Sequence, residues 1–258
     1  MPIHPSSIVD PAARIAESAD IGPWCYIGAE VEIGPRTRLM ANVYVEGVTT
    51  IGEDNIFFPY TTVGVASQDL KYQGERAYTR IGNRNRIREF VTIHRGTQGG
   101  GLVTSIGDDN LLMAYVHVAH DVTIGNHTIL ANAVTFGGHV QVGDWVVIGA
   151  STGVHQFCRI GRHAMIGGYS VVTQDVLPFS TTVSERAIKV FGANKTGLER
   201  RGFAPETIGA LRKALRLLTH AGLNTTQAVE RIRAEVPPLP EIEELLEFIA
   251  SSQRGVVK

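Results

Sequence analysis

Two histidines and a carboxylate fall within five residues at the end of the stretch Met113-Ala114-Tyr115-Val116-His117-Val118-Ala119-His120-Asp121. A neutral imidazole beside an acid can take a proton near pH 7, because an ordinary pKa of about 6.5 leaves it largely unprotonated there. Neighbouring His and Asp are also common in solvated turns, so the pair gains meaning only from the elements that position it.

Those elements form a repeat of period six. From Val9 every sixth residue is aliphatic or aromatic, through Ile15, Ile21, Ile27, Ile33, Leu39, Val45, Ile51, Phe57 and Val63. The phase returns at Ile81, Ile87 and Ile93. After a shift of one it runs without a miss from Ile106 through Leu112, Val118, Ile124, Leu130, Phe136, Val142, Ile148, Val154, Ile160 and Ile166 to Val172. A period of six suits neither an amphipathic helix nor a plain alternating strand. It suits a hexapeptide β-helix, in which three short strands close a triangular coil of about 18 residues. Glycine often follows the aliphatic residue, as at Gly52, Gly82, Gly107 and Gly125, with Asn three positions later at Asn55, Asn85 and Asn110. Both residue types tolerate left-handed backbone, which predicts that they form the corners. Periodicity is silent on the hand of the coil.

Two stretches break the phase, Gly64 to Arg80 and His94 to Ser105, the second containing Gly99-Gly100-Gly101. They are expected to project as loops from a rigid scaffold, where binding residues collect. The hexads stop at Pro178, and 179–203 reads as irregular linker. Beyond it, Ile208, Leu211, Leu215 and Leu218 keep a helical face to about His220, after Pro205 in the first turn. Thr225 or Thr226 is expected to cap a second helix through Ala234, and Pro237-Pro238 separates it from a third over Ile242 to Ala250. The expected architecture is therefore a β-helix over 1–178, a linker, and a small helical domain over 204–258.

Coil arithmetic gathers the histidines. Counting three hexads per coil stacks Ile93, Val118, Phe136 and Val154 on one edge. His94, His117, His120, His139 and His155 all lie within three residues of these positions. Clustered titratable groups beside loops mark a candidate site, although polar residues also belong near corners. The net charge of −1 offers no general attraction to nucleic acid or an anionic membrane. Cys25 and Cys158 show no metal or redox spacing, which fits free thiols in a reducing compartment. No apolar run approaches the roughly 18 residues of a membrane span, and Met1 to Asp20 lacks the pattern of a signal peptide. A cytoplasmic protein is expected.

Several motifs carry a resemblance. Gln68-Asp69-Leu70-Lys71-Tyr72, Ile87-Arg88-Glu89, Thr92-Ile93-His94-Arg95-Gly96, Asn110 to Asp121, Val154-His155-Gln156-Phe157-Cys158 and Arg200-Arg201-Gly202-Phe203 resemble the UDP-N-acetylglucosamine O-acyltransferase family of lipid A biosynthesis. The likeness covers nearly the whole chain. It implies a left-handed coil, a homotrimer with sites between subunits, an acyl donor on acyl carrier protein and no metal or other cofactor. Position by position, it makes His120 the general base for the sugar 3-hydroxyl, oriented by Asp121, and Gly138 the backbone donor to the oxyanion. It assigns Asp69, Lys71, His94, His117, His139 and Gln156 to substrate positioning. Asn194, Arg200 and Arg201 would meet nucleotide or donor phosphates, and Gly168 would gauge acyl length.

The chain departs from the family's pattern at Ser184-Glu185-Arg186 and at Thr196. Residue types leave acyl length open, and they do not separate a 3-hydroxyl from a 3-amino acceptor. Two other classes compete. A γ-carbonic-anhydrase-like hydratase would use three of the edge histidines on zinc, and a hexapeptide scaffold that only binds would tolerate loss of His120.

Overall fold

The structure is a computed structural model that describes residues 3–183, 192–219, 221–252 and 256. The hexad aliphatics all turn inward. In a two-residue strand one side chain faces out and the next faces in, so Tyr26 is exposed while Ile27 is fully buried. Stacking such strands yields three parallel sheets. The first, of nine strands, runs from Ile8–Val9 to Val171–Val172; the second, of eight, from Arg14–Ile15 to Arg159–Ile160; the third, of nine, from Asp20–Ile21 to Thr181–Thr182. In the first sheet Ile93 pairs with Val118, Val118 with Phe136 and Phe136 with Val154, the edge expected from the coil count. One continuous core fills the prism, including Leu39, Phe57, Leu112, Leu130 and Phe136. Each such side chain, fully buried, stabilises by roughly 1.5–3 kcal/mol.

The corners are built differently from the expectation. Left-handed backbone occurs three residues after the aliphatic position, at Asp54, Tyr60, Arg84, Phe90, Asp109, Tyr115, Asp121, His127, His139 and Trp145 among others. Gly52, Gly82, Gly107 and Gly125 do not adopt it. Their glycine character answers to the next coil: a Cβ on Gly52 would lie 2.6 Å from the Gly82 carbonyl oxygen, and one on Gly82 2.7 Å from that of Gly107. The asparagines form a buried ladder. Asn85 N–H donates to Asn55 Oδ1 at 2.9 Å, Asn110 N–H to Asn85 Oδ1 at 2.9 Å, and Thr128 N–H to Asn110 Oδ1 at 2.8 Å. Each amide NH₂ donates to a glycine carbonyl, Asn85 Nδ2 to Gly107 O and Asn110 Nδ2 to Gly125 O. Buried amides are thus satisfied along the column. Left-handed backbone costs a non-glycine residue about 1–2 kcal/mol, and stacking along the corner offsets part of it. Tyr60, Phe90 and Tyr115 stack with centroids 5.1 and 5.0 Å apart.

The phase breaks are loops narrower than expected, 66–77 and 95–102, because strands Thr62–Val65, Tyr78–Ile81 and Val103–Ile106 extend into them. Arg95 pins both roots: its N–H donates to Val65 O at 3.1 Å, its Nε to Gly64 O at 2.7 Å and its Nη2 to Glu46 Oε1 at 2.7 Å.

The chain divides into two compact units, 1–184 and 185–258. The coil continues one strand past Pro178, where Thr181–Thr182 pairs with Met165–Ile166. Within the stretch read as irregular linker lies helix α1 (Lys195–Arg200). Helices α2 (Pro205–Thr219), α3 (Thr225–Glu235) and α4 (Pro240–Ser251) follow. Ala214, Leu218, Ala228, Ile232, Ile242 and Leu246 form their shared core. The cap of α3 is Asn224, not a threonine: its side chain accepts from Gln227 N while Gln227 returns the bond, a reciprocal capping box. Ser184, Glu185, Arg186 and His220 lie outside the described residues.

Candidate functional site

The strand His117–Val118 leaves the first sheet and turns a corner at Asp121, whose φ is 59°. That corner sets His120 and Asp121 side by side. His120 Nδ1–H donates to Asp121 Oδ2 at 2.8 Å, which leaves Nε2 as the free lone pair. Asp121 is buried, its side chain 1 % exposed. The carboxylate is satisfied by loop 95–102, whose Thr97 N–H reaches Oδ1 and Oδ2 at 3.0 and 3.1 Å and whose Thr97 hydroxyl donates to Oδ2 at 2.6 Å. A buried carboxylate fixed by these donors holds the imidazole tautomer.

Around the pair stand other residues of the histidine edge. The His139 ring meets His120 edge-on at 5.0 Å and stacks on Phe157 at 4.4 Å. His94 and His117 meet edge-on at 4.9 Å, and His117 Nδ1 lies 2.7 Å from Thr92 Oγ1. Burial, with the neighbouring His117, His120 and Arg95, drives His94 down to about 4. Burial also lowers His117 and His139. These imidazoles are therefore neutral near pH 7, hydrogen-bonding groups and not cations. Asp69 Oδ2 faces His120 Nε2 at 3.9 Å across the site. Between the loops a cleft of about 550 Å³ is lined by Asp69, Lys71, Tyr72, Thr97, His139 and Phe157. Glu75 bridges the loops by accepting from Gln98 N at 2.9 Å, a bond that lowers its pKa.

Gly138 adopts no left-handed backbone. A Cβ there would lie 2.5 Å from His120 Cε1 and 2.6 Å from Nε2, directly over the basic nitrogen. Among the described residues its N–H donates to nothing, although its carbonyl accepts from Phe157 N at 3.0 Å. Gln156 is exposed on the next turn, its carbonyl accepting from His155 Nδ1 at 3.0 Å.

The remaining expected residues stand elsewhere. Gly168 follows a strand of the third sheet and so occupies a different corner from His120. Asn194, Arg200 and Arg201 belong to the second unit, where Asn194 caps α1 by accepting from Gly197 N at 3.2 Å and Arg201 closes its end. Thr196, a departure from the family pattern, lies in that same helix. Thr97, Gly100 and Glu75 were not read from the sequence. Their only signal was the two phase breaks, 64–80 for Glu75 and 94–105 for Thr97 and Gly100.

His120, Asp121 and His139 bring three potential metal-ligand atoms within 4.8 Å of one another. The hydrogen bonding argues for a different use, since both Asp121 oxygens and His120 Nδ1 are already engaged.

Comparison with known proteins bears on the same residues. A curated acyl-[acyl-carrier-protein]--UDP-N-acetylglucosamine O-acyltransferase of Thermodesulfovibrio yellowstonii is 49 % identical over 256 residues, covering 99 % of both chains. The chain belongs to the UDP-N-acetylglucosamine O-acyltransferase family. The family model described as UDP N-acetylglucosamine O-acyltransferase, domain 2, matches residues 175–257, and the bacterial transferase hexapeptide model matches 104–138. Among solved structures, the UDP-N-acetylglucosamine O-acyltransferase of Moraxella catarrhalis is 43 % identical with a TM-score of 0.70, covering 100 % of each chain. That of Francisella novicida is 37 % identical with a TM-score of 0.71, covering 99 % of this chain and 93 % of its own. The acyltransferase fold is thus a left-handed parallel β-helix of hexapeptide repeats followed by a helical region. No helix among the described residues is long and apolar enough to cross a membrane.

Proposed function

We propose that the chain transfers a 3-hydroxyacyl group from acyl carrier protein to the glucosamine 3-position of UDP-N-acetylglucosamine, the opening step of lipid A biosynthesis. The observation that carries this reading is the His120–Asp121 pair, with a free Nε2 under a glycine and beside a cleft.

His120 Nε2 takes the proton of the sugar 3-hydroxyl as its oxygen attacks the thioester carbonyl. Asp121 stabilises the imidazolium that forms. The Gly138 N–H, which has no partner among the described residues, is the donor to the developing oxyanion. Collapse of the tetrahedral intermediate expels the thiolate, which recovers the proton from the imidazolium. Base catalysis contributes roughly 10²- to 10⁴-fold and an oxyanion donor about 10²- to 10³-fold. Asp69, Lys71, His94, His117, His139 and Gln156 position substrate in this reading. The neutrality of the buried imidazoles suits hydrogen bonding to sugar hydroxyls. Lys71, whose ammonium has no ion-pair partner among the described residues, suits an anionic group. Asn194, Arg200 and Arg201 are assigned to phosphates and Gly168 to acyl length. We assign the enzyme to the cytoplasm and to a homotrimer; exposed Ile129, Met165 and Val171 on the outer prism faces support self-association.

Incubation with a ladder of 3-hydroxyacyl carrier-protein thioesters and UDP-N-acetylglucosamine, followed by mass analysis, tests the reading. The expected product is the acceptor plus one 3-hydroxy acid less water, with the carrier thiol released. Product only with a 3-amino sugar would change the acceptor, and stoichiometric zinc required for turnover would overturn the mechanism. Sedimentation of the purified chain tests the trimer.

A further inference from the structure

Thr97 stands immediately before the 3₁₀ turn Gln98–Gly100, with extended backbone at φ −133° and ψ 162°. A threonine at such a position ordinarily turns its oxygen back to accept an N–H of the turn. Here it makes no cap bond. Its hydroxyl instead donates to Asp121 Oδ2 at 2.6 Å, the same oxygen that accepts from His120 Nδ1 at 2.8 Å.

We propose that Thr97 is a positioning residue, whose hydroxyl fixes the Asp121 carboxylate in the orientation from which Oδ2 accepts the His120 Nδ1 proton. This rests on the general-base reading above.

The geometry explains why the backbone alone does not suffice. The Thr97 N–H is nearly equidistant from the two oxygens, at 3.0 and 3.1 Å. A donor so placed holds the carboxylate in position but leaves rotation about Cβ–Cγ open, and that torsion is intrinsically broad. The hydroxyl contacts one oxygen only and breaks the symmetry. Without it the Nδ1–H bond weakens, and the tautomer protonated at Nε2, useless as a base, gains population. The turn is seated for this task. A Cβ on Gly100 would overlap Asp121 Cγ, so the turn lies directly against the carboxylate, and Gln98 N–H is held by Glu75. Thr97 itself is buried.

Thr97→Val preserves the branched shape and the backbone N–H while deleting the hydroxyl; Thr97→Ser keeps the hydroxyl. With acyl carrier-protein thioester and UDP-N-acetylglucosamine, Thr97→Val is expected to lower kcat roughly 10- to 100-fold, the range for a hydrogen bond to a charged group. KM should stay within about threefold and Thr97→Ser should retain about half of wild-type kcat or more, as expected for an intact hydroxyl donor. The low-field Nδ1 proton of His120, assigned by its absence in His120→Ala, should persist in wild type and Thr97→Ser and vanish in Thr97→Val. Thr97→Ala, with no steric demand, takes the place of Thr97→Val should the latter not fold. Full activity and an unmoved low-field proton in the hydroxyl-free variant overturn the proposal, as does a serine variant as impaired as valine. An active His120→Ala overturns the base reading itself; an inactive His120→Ala beside a fully active Thr97→Val overturns the role of Thr97 alone.

Discussion

Asp109 and Asp121 fill the same slot of the hexad, three residues past Ile106 and Val118, and both hold left-handed backbone with φ of 59°. On its corner Asp109 takes Arg84 from the preceding coil in a two-pronged pair, Nε to Oδ1 and Nη2 to Oδ2, both at 2.8 Å. That guanidinium holds its carboxyl below the usual range. On the site corner the corresponding position in the preceding coil is Gly96, where the chain has already left for loop 95–102. No arginine can stack under Asp121. The loop folds back and supplies Thr97 instead. A phase break therefore turns a surface ion-pair ladder into a buried acid free to orient a base.

The sharpest test of this contrast is at the site corner. His120→Ala should lower turnover by roughly 10² to 10⁴ and also lower Tm, because the side chain is only 13 % exposed and its loss leaves the buried Asp121 carboxylate one donor short. Retention of more than about a tenth of wild-type turnover would remove His120 from the role of base. Asp121→Asn should lose less, since the base remains but is poorly oriented.

A corner slot with no side chain sharpens the comparison further. Gly168 takes ordinary backbone, and an added Cβ would lie 3.1 Å from Ala150 O, so a substitution there needs only small adjustment. Gly168→Met should cut activity on long 3-hydroxyacyl donors and spare or improve shorter ones, each excluded methylene forfeiting about 0.8 kcal/mol. Rates across a thioester ladder measure this, and an unchanged length preference would return Gly168 to a structural corner.

The site edge should also be the acid-sensitive one. The folded pKa of His94 is depressed to about 4 against an unfolded value of about 6.5. The unfolded chain therefore binds the proton first as pH falls. The stability associated with this residue is complete above pH ~6.5 and is lost progressively down to about 4, by an amount on the order of 3 kcal/mol. His94→Gln should lose less stability than wild type between pH 7.5 and 4.5 in urea melts; equal losses would show that the burial of His94 is not a source of acid sensitivity. At the surface corner the smallest effect is expected. Asp109→Asn should cost under about 1 kcal/mol, because Arg84 is half exposed, and should leave turnover alone. A turnover defect there would break the distinction between the two corners.

The difference between the corners also marks how far residue types reach. The inward aliphatics and the stacking of Ile93, Val118, Phe136 and Val154 were legible, because a coil of fixed length turns a linear period into a spatial column. The histidines on that edge were legible for the same reason. The corner chemistry was misread. Gly52 and Asn85 looked like left-handed residues, yet one answers to backbone approach between coils and the other to a ladder of buried amides. Neither contact has a local signature.

By itself, then, the sequence determined the coil, the breaks in it and the edge that carries His120 and Asp121. Tertiary structure decided which corner acid is buried, that Thr97 and not a cation completes its shell, and that Gly138 lies over the basic nitrogen. Core burial repeats with the chain and is written in its period. Loop 95–102 reaches Asp121 only by folding back across the coil, through hydrogen bonds 24 residues apart, and such contacts depend on where the backbone passes and not on any pattern along it.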